Sequence, residues 1–220
     1  MSIQVKICGI NSVESADAAV RAGADFAGLI LQKASHRYVG LERSGAIARH
    51  LRGRIRITAL MVDPSDDEVA AVARDVAPDL LQLHGREAPA RVAEIVSRFR
   101  IPAIKAFGIA EAADFANVPT YSDVAEMFLF DAKPPANAVT PGGHGVAFDW
   151  QILRSQTFTR PWLLAGGLNA GNVARAISIS GAPGVDVSSG VETAPGQKSA
   201  EMIHAFVEGV RNANFASAQT

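Results

Sequence analysis

Apolar residues recur along the chain in two alternating rhythms. Short β-type runs, "QVKICGI", "DFAGLIL", "IRITALMV", "LLQLHG", "AIKAFGI", "MFLFDA", "PWLLAGG" and "GVDVSSG", are separated by longer segments whose apolar positions fall three and four residues apart. Several runs are apolar on both faces, as a strand covered on both sides of a parallel sheet must be. In "SDDEVAAVARDVA", Ser65 and Glu68 have the spacing of a capping box, and Val69, Val72, Ala73 and Val76 then mark one helical face. "APARVAEIVSRFR" and "SAEMIHAFVEGVR" carry the same period and end in cationic residues, which the negative end of the helix dipole favours. The pattern predicts eight βα units, starting about every 20 to 35 residues. It is an α/β fold: a single (β/α)8 TIM barrel over residues 1–220, with a doubly wound open sheet as its rival. No linker or charge block divides the chain, and the tail after Arg211, from about residue 212, is expected to fray.

Composition adds limits rather than detail. With 48% hydrophobic and 20% charged residues and a formal net charge of −1, the chain can bury one large core. Its basic residues are scattered, which argues against nucleic acid or an anionic membrane as partner. No signal peptide and no run of membrane-spanning length is read from the sequence. Cys8 is the single cysteine and cannot form an internal disulfide, so a reducing, cytoplasmic location is expected. Monomer and homodimer are both left open.

In either fold the chemistry belongs at the C-terminal ends of the strands. Cys8 and Gly9 end the first strand; it is either a small packed hydrophobe or a thiol displayed at a strand end. The second strand runs into "QKASHRYV" with Arg37, the fourth ends at His84, and the sixth ends at Asp131. Gly166 and Gly167 follow the seventh; Ser188, Ser189 and Gly190 follow the eighth. Each has a plain reading: Asp131 as a turn former before Pro134, His84 as a satisfied polar strand end, Arg37 as a solvated cation, and the glycine pair as a turn. The glycine-rich ends of strands seven and eight together suit a backbone phosphate cradle. His144, in "GGHG", receives no role from spacing. The chain has no P-loop lysine, dinucleotide fingerprint or metal-ligand spacing. A thiol, a carboxylic acid, an arginine and a phosphate cradle suit proton transfer on a sugar phosphate.

The blocks "VKICGI", "GLILQKASHRYV", "ALMVDPSDDEV", "LLQLHG", "IKAF", "FLFDAKPP" with "GGHGVAFDW", "LLAGGLNAGNV" and "GVDVSSGVETAPGQKS" together resemble the phosphoribosylanthranilate isomerase family, in the right order over nearly the whole chain. The resemblance implies a (β/α)8 barrel that needs no cofactor and converts a small phosphorylated substrate, N-(5-phosphoribosyl)anthranilate, to 1-(2-carboxyphenylamino)-1-deoxyribulose 5-phosphate in tryptophan biosynthesis. It implies Cys8 as general base, Asp131 as general acid, Arg37 on the anthranilate carboxylate and His84 lining the site. It also implies a phosphate held around Gly166, Gly167, Ser189 and Gly190. The chain departs from the family pattern at three positions: His36 stands where proline is common, His144 where threonine is usual, and Gln32 where an apolar residue is frequent.

For this chemistry the pKa of Asp131 is expected to be raised and that of Cys8 lowered. Lys6 is read as pointing to the face opposite Cys8 and therefore as having no direct contact with the thiol. Two rival readings are a different phosphate-binding barrel and a non-catalytic sugar-phosphate binder. An indole-glycerol-phosphate synthase calls for a lysine-based acid and base set, and a ribulose-phosphate epimerase for a metal-binding His and Asp set. The chain shows neither pattern.

Overall fold

The structure is a computed structural model that describes residues 2–133 and 147–217. Eight strands, β1 (Gln4–Cys8), β2 (Phe26–Ile30), β3 (Arg56–Met61), β4 (Leu80–Leu83), β5 (Ala103–Ile109), β6 (Met127–Ala132), β7 (Trp162–Leu164) and β8 (Gly184–Val187), each pair in parallel with the next. β8 returns to pair with β1, with Lys6 opposite Asp186, so the sheet closes and the open-sheet alternative is removed.

Six α-helices cover the ring: α1 (Val13–Ala22), α2 (Leu41–Leu51), α3 (Asp66–Asp75), α4 (Pro89–Phe99), α5 (Val173–Ser180) and α6 (Ala200–Ser217). Ser65 caps α3 reciprocally with Glu68, as the sequence predicts, and Ser12 forms the same arrangement with Ser15 at α1. Between β5 and β6 the expected helix is replaced by two 3-10 turns, Ala112–Phe115 and Val118–Tyr121. Pro119 lies inside that segment and cannot donate to a helical ladder. A further 3-10 turn, Trp150–Leu153, precedes β7. At the other end, α6 does not stop at Arg211. Val210 and Ala213 stay buried on its inner stripe, and the Arg211 guanidinium donates to Ala22 O, so the helix continues through Ser217.

Side chains alternate across the barrel wall. Val5, Ile7, Leu29, Ile57, Leu81, Phe128 and Phe130 face the helices, whereas Phe26, Leu80, Ile104, Met127, Leu129 and Leu163 fill the interior. The same inward positions also hold charged and polar groups that are fully covered, among them Lys6, Thr58, Gln82 and Asp186. After β8 the chain adds a hairpin absent from the sequence reading, β9 (Glu192–Ala194) and β10 (Gln197–Lys198), with Gly196 at φ 79° in its turn.

The wall beneath β6 is aromatic. Phe130 is fully buried, with ring centroids of Phe158, Phe115 and Trp162 at 4.5, 5.3 and 5.5 Å. Truncation removes both the buried area and these ring contacts, so Phe130→Ala is expected to cost about 3–5 kcal/mol. The denaturant midpoint measures this; a loss below about 1 kcal/mol would show that the neighbouring rings close the gap.

Candidate active site

Cys8 is the last residue of β1 and is 3% exposed, packed with Ile30 and Leu60 at the inner end of β2 and β3. Both readings of the sequence are partly right: the thiol sits at the strand end, yet it is covered. Gly9 follows at φ 79°, and a Cβ there would lie 2.7 Å from Arg37 Cδ, so the turn that brings Arg37 over the thiol admits only glycine.

Lys6 requires a correction. Residues two apart on a strand share a face, so Lys6 points inward with Cys8, not away from it. Its ammonium is fully buried, 2.8 Å from Asp186 Oδ1, and also hydrogen-bonds the Cys8 sulfur. Burial would lower the lysine, but the charges of Asp186 and Cys8 outweigh it and hold Lys6 above its ordinary value. For Cys8, burial pushes the thiol up, and Lys6 and Lys198 offset only part of that. The thiol expected to be depressed is therefore raised, because removal from water disfavours the thiolate more than two cations favour it.

Asp131 behaves as the sequence reading requires. It is 7% exposed, accepts a 2.9 Å hydrogen bond from Ala132 N, and is pushed up to about 7 by burial, with the Asp186 charge second. His84 Nε2 stands 3.7 Å from Asp131 Oδ2, too far for a hydrogen bond. Burial, then the charges of Lys105 and Lys6, lower His84 to about 3, so the imidazole facing Asp131 is neutral and the two do not form an ion pair. Gln82 Nε2 lies 3.2 Å from His84 Nδ1. An amide nitrogen can only donate, so the ring proton sits on Nε2, toward Asp131.

Arg37 is buried and already paired. Its Nε and Nη2 donate to the two carboxylate oxygens of Glu192 at 2.7 and 2.8 Å, and Lys198 Nζ reaches Glu192 Oε1 at 2.7 Å. Burial alone would raise Glu192, but the Arg37 hydrogen bonds and the Lys198 charge hold it at about 2. Glu192 thus fixes the guanidinium by one edge and leaves the Nη1 end for another acceptor. Neither Glu192 nor Lys198 was singled out in the sequence, although both lie in "GVETAPGQKS". The hairpin is tied down by Asn11 Nδ2, which donates to Gly196 O at 2.7 Å, and its turn packs on the His36 backbone. His36 itself is exposed.

Gly166 and Gly167 both adopt positive φ, at 86° and 64°, directly after β7. A Cβ on Gly166 would meet Ala132 N at 2.6 Å and Asp131 Oδ1 at 3.1 Å, so this turn abuts the carboxylate. Ser189 and Gly190 form a short 3-10 turn after β8, and Gly190 packs so closely on Leu168 O that no side chain fits. These residues share one end of the barrel with Cys8 and Asp131. Gln32 is half-buried in the loop after β2, and His144 lies outside the described residues. Among the described residues no group of three or more His, Cys, Asp or Glu is placed to hold a metal ion, and no helix is long and apolar enough to cross a membrane.

A family model described as N-(5'phosphoribosyl)anthranilate (PRA) isomerase matches residues 5–209. The N-(5'-phosphoribosyl)anthranilate isomerase of Rhodopseudomonas palustris (strain BisA53) is 51% identical over 211 residues, covering 96% of this chain and 97% of that protein. The crystal structure of phosphoribosyl anthranilate isomerase from Thermotoga maritima superposes with a TM-score of 0.85 at 32% identity, over 96% of this chain and 99% of that one. A crystal structure of phosphoribosyl anthranilate isomerase in complex with reduced 1-(o-carboxyphenylamino)-1-deoxyribulose 5-phosphate superposes with a TM-score of 0.82 at 31% identity, over the same shares. A match over nearly the whole length, with identities of this size and the same closed barrel, means that the chain belongs to the N-(5'-phosphoribosyl)anthranilate isomerase family.

Proposed function

We propose that this isomerase converts N-(5-phosphoribosyl)anthranilate to 1-(2-carboxyphenylamino)-1-deoxyribulose 5-phosphate, with Asp131 as general acid and Cys8 as general base. The observation that carries the assignment is a carboxyl group held near pKa 7 by burial, facing the same barrel mouth as the single thiol. Asp131 gives its proton to the ribose ring oxygen; the bond from C1 to that oxygen breaks, and the nitrogen lone pair forms the C1 iminium. The cationic nitrogen acidifies the C2 hydrogen, which Cys8 thiolate removes. The C–H electron pair becomes the double bond of the enolamine, which tautomerises to the ketone. The iminium would add a further positive charge to those of Lys6 and Lys198 beside the thiolate. Arg37, held by Glu192, presents its free end to the anthranilate carboxylate. The backbone at Gly166, Gly167, Ser189 and Gly190 receives the phosphate, and His84 borders the reacting ring. The proposed setting is the cytoplasm, as a monomer or a homodimer.

Asp131→Asn keeps the shape and the acceptor for Ala132 N but has no proton to give, so turnover is expected to fall by roughly 10²-fold or more with little change in affinity. A carboxyl with a raised folded pKa binds more protons folded than unfolded, so it loses stability as pH rises from about 4 to 7. The same variant should therefore melt higher than wild type at pH 8 and alike below pH 4. Near-normal turnover would move the acid elsewhere.

The pH profile follows from the order of the two groups. Asp131 titrates at about 7 and Cys8 above its ordinary value, so the competent form, neutral acid with thiolate, is a minor one at any pH. Its population rises up to about pH 7, stays level, and falls above the thiol pKa. kcat/KM is expected to trace that broad plateau; a profile that keeps rising beyond the thiol titration would remove Asp131 as acid.

Arg37→Met should weaken binding of product analogues that carry the aryl carboxylate by roughly tenfold or more, while analogues without it lose little. Equal losses measured by calorimetry would give Arg37 another role.

A further inference from the structure

A buried ion pair lies beneath the reaction centre and has no part in the steps above. Lys6 and Asp186 sit opposite each other on β1 and β8, with Nζ and Oδ1 2.8 Å apart and with relative exposures of 0% and 8%. Around them the barrel interior is filled by Phe26, Leu80, Ile104 and Leu163. Such a pair is a poor device for stability, because the cost of dehydrating two ions is comparable to their attraction and an apolar replacement is often as stable.

The geometry gives the pair two different neighbours. Lys6 is directly below Cys8 on the same face of β1, and Gly28 on β2 opens the space where they meet: a Cβ there would lie 3.1 Å from Cys8 Sγ and 3.2 Å from Lys6 Nζ. Asp131 stands on β6 next to the turn after β7, and the register that sets Phe130 beside Leu164 and Leu164 beside Val185 puts Asp131 and Asp186 at one level, on either side of the small inward Ala165. We propose that Lys6 and Asp186 form a fixed dipole under the active site, the ammonium favouring the Cys8 thiolate and the carboxylate favouring the acid form of Asp131. Both are positioning residues, and the proposal rests on the reading of Cys8 as base and Asp131 as acid.

The other charges around the two groups do not supply this pattern. Cys8 faces Lys6 on its own strand, Asp186 on β8 and Lys198 on β10; Ile30 and Leu60 from β2 and β3 are apolar. Asp131 faces Asp186, Lys6 and the neutral His84. Lys198, paired with Glu192, also favours the thiolate but is not among the charges that act on Asp131. Lys6, whose ammonium shares the space above Gly28 with the Cys8 sulfur, favours the thiolate, and Asp186 favours the acid form of Asp131. One ion pair therefore moves base and acid in the opposite senses that proton transfer needs.

Because Cys8 is the only thiol, its titration can be read without substrate from the pH dependence of iodoacetamide incorporation into the full-length protein. Lys6→Met should move the thiol titration up by about one pH unit, a roughly tenfold slower labelling at neutral pH. Asp186→Asn should move it down, since the ammonium then has the thiolate as its counterion. Should either single variant fail to fold, Lys6→Met/Asp186→Asn removes both charges and should still titrate above wild type. Singles that move the thiol in the same direction, or a double variant that titrates like wild type, would overturn the proposal. In Asp186→Asn the lower limb of the kcat/KM profile should also fall below its wild-type position, which a purely structural pair would not produce. If Cys8→Ser retained full turnover, the base assignment would fail while the labelling results still judged the dipole.

Discussion

Closing a parallel sheet leaves the backbone no free edge, and every strand of this ring spends its hydrogen bonds on its two neighbours. What remains inside is a narrow, dry column of side chains. Groups there interact in a low dielectric, so charges a few ångströms apart weigh far more than they would on the surface. The rest of the site depends on that dryness: it raises Asp131 to about 7, strips His84 of its charge and keeps the Cys8 proton in place.

Dryness alone favours a neutral Asp131 and opposes a Cys8 thiolate. Ions placed in the column answer this in part. Lys6 is held charged by Asp186 and by the thiol itself, and Lys198 adds a second cation from the hairpin beyond β8.

The hairpin shows how a loop can be made as definite as a strand. Glu192 gathers Arg37 and Lys198, Lys198 donates to Ser188 O, and Ser188 Oγ donates to Cys8 O, so Arg37, the turn after β8 and Cys8 belong to one hydrogen-bonded assembly. A bidentate, buried arginine pair of this kind is far more defined than a surface ion pair. The histidine that replaces the common proline at position 36 lies on the outside of this assembly, and Arg37 is held in place without it.

Period and spacing were enough to read the eight barrel strands, most of the helices between them and the strand ends, because a two-residue alternation and a helical stripe are local properties of the chain. The places of Cys8, Arg37, His84 and Asp131 at strand ends or in the loop that follows were legible for the same reason. The partners that act on them were not. Glu192 and Asp186 lie 155 and 180 residues from Arg37 and Lys6, and only ring closure between β8 and β1 brings them together. The inward direction of Lys6 is a local property that alternation does contain, since Lys6 and Cys8 are two apart. The sign of the Cys8 shift is not local, for it is a contest between burial, Lys6 two residues away and Lys198 from the distant hairpin, and burial exists only once the barrel has closed.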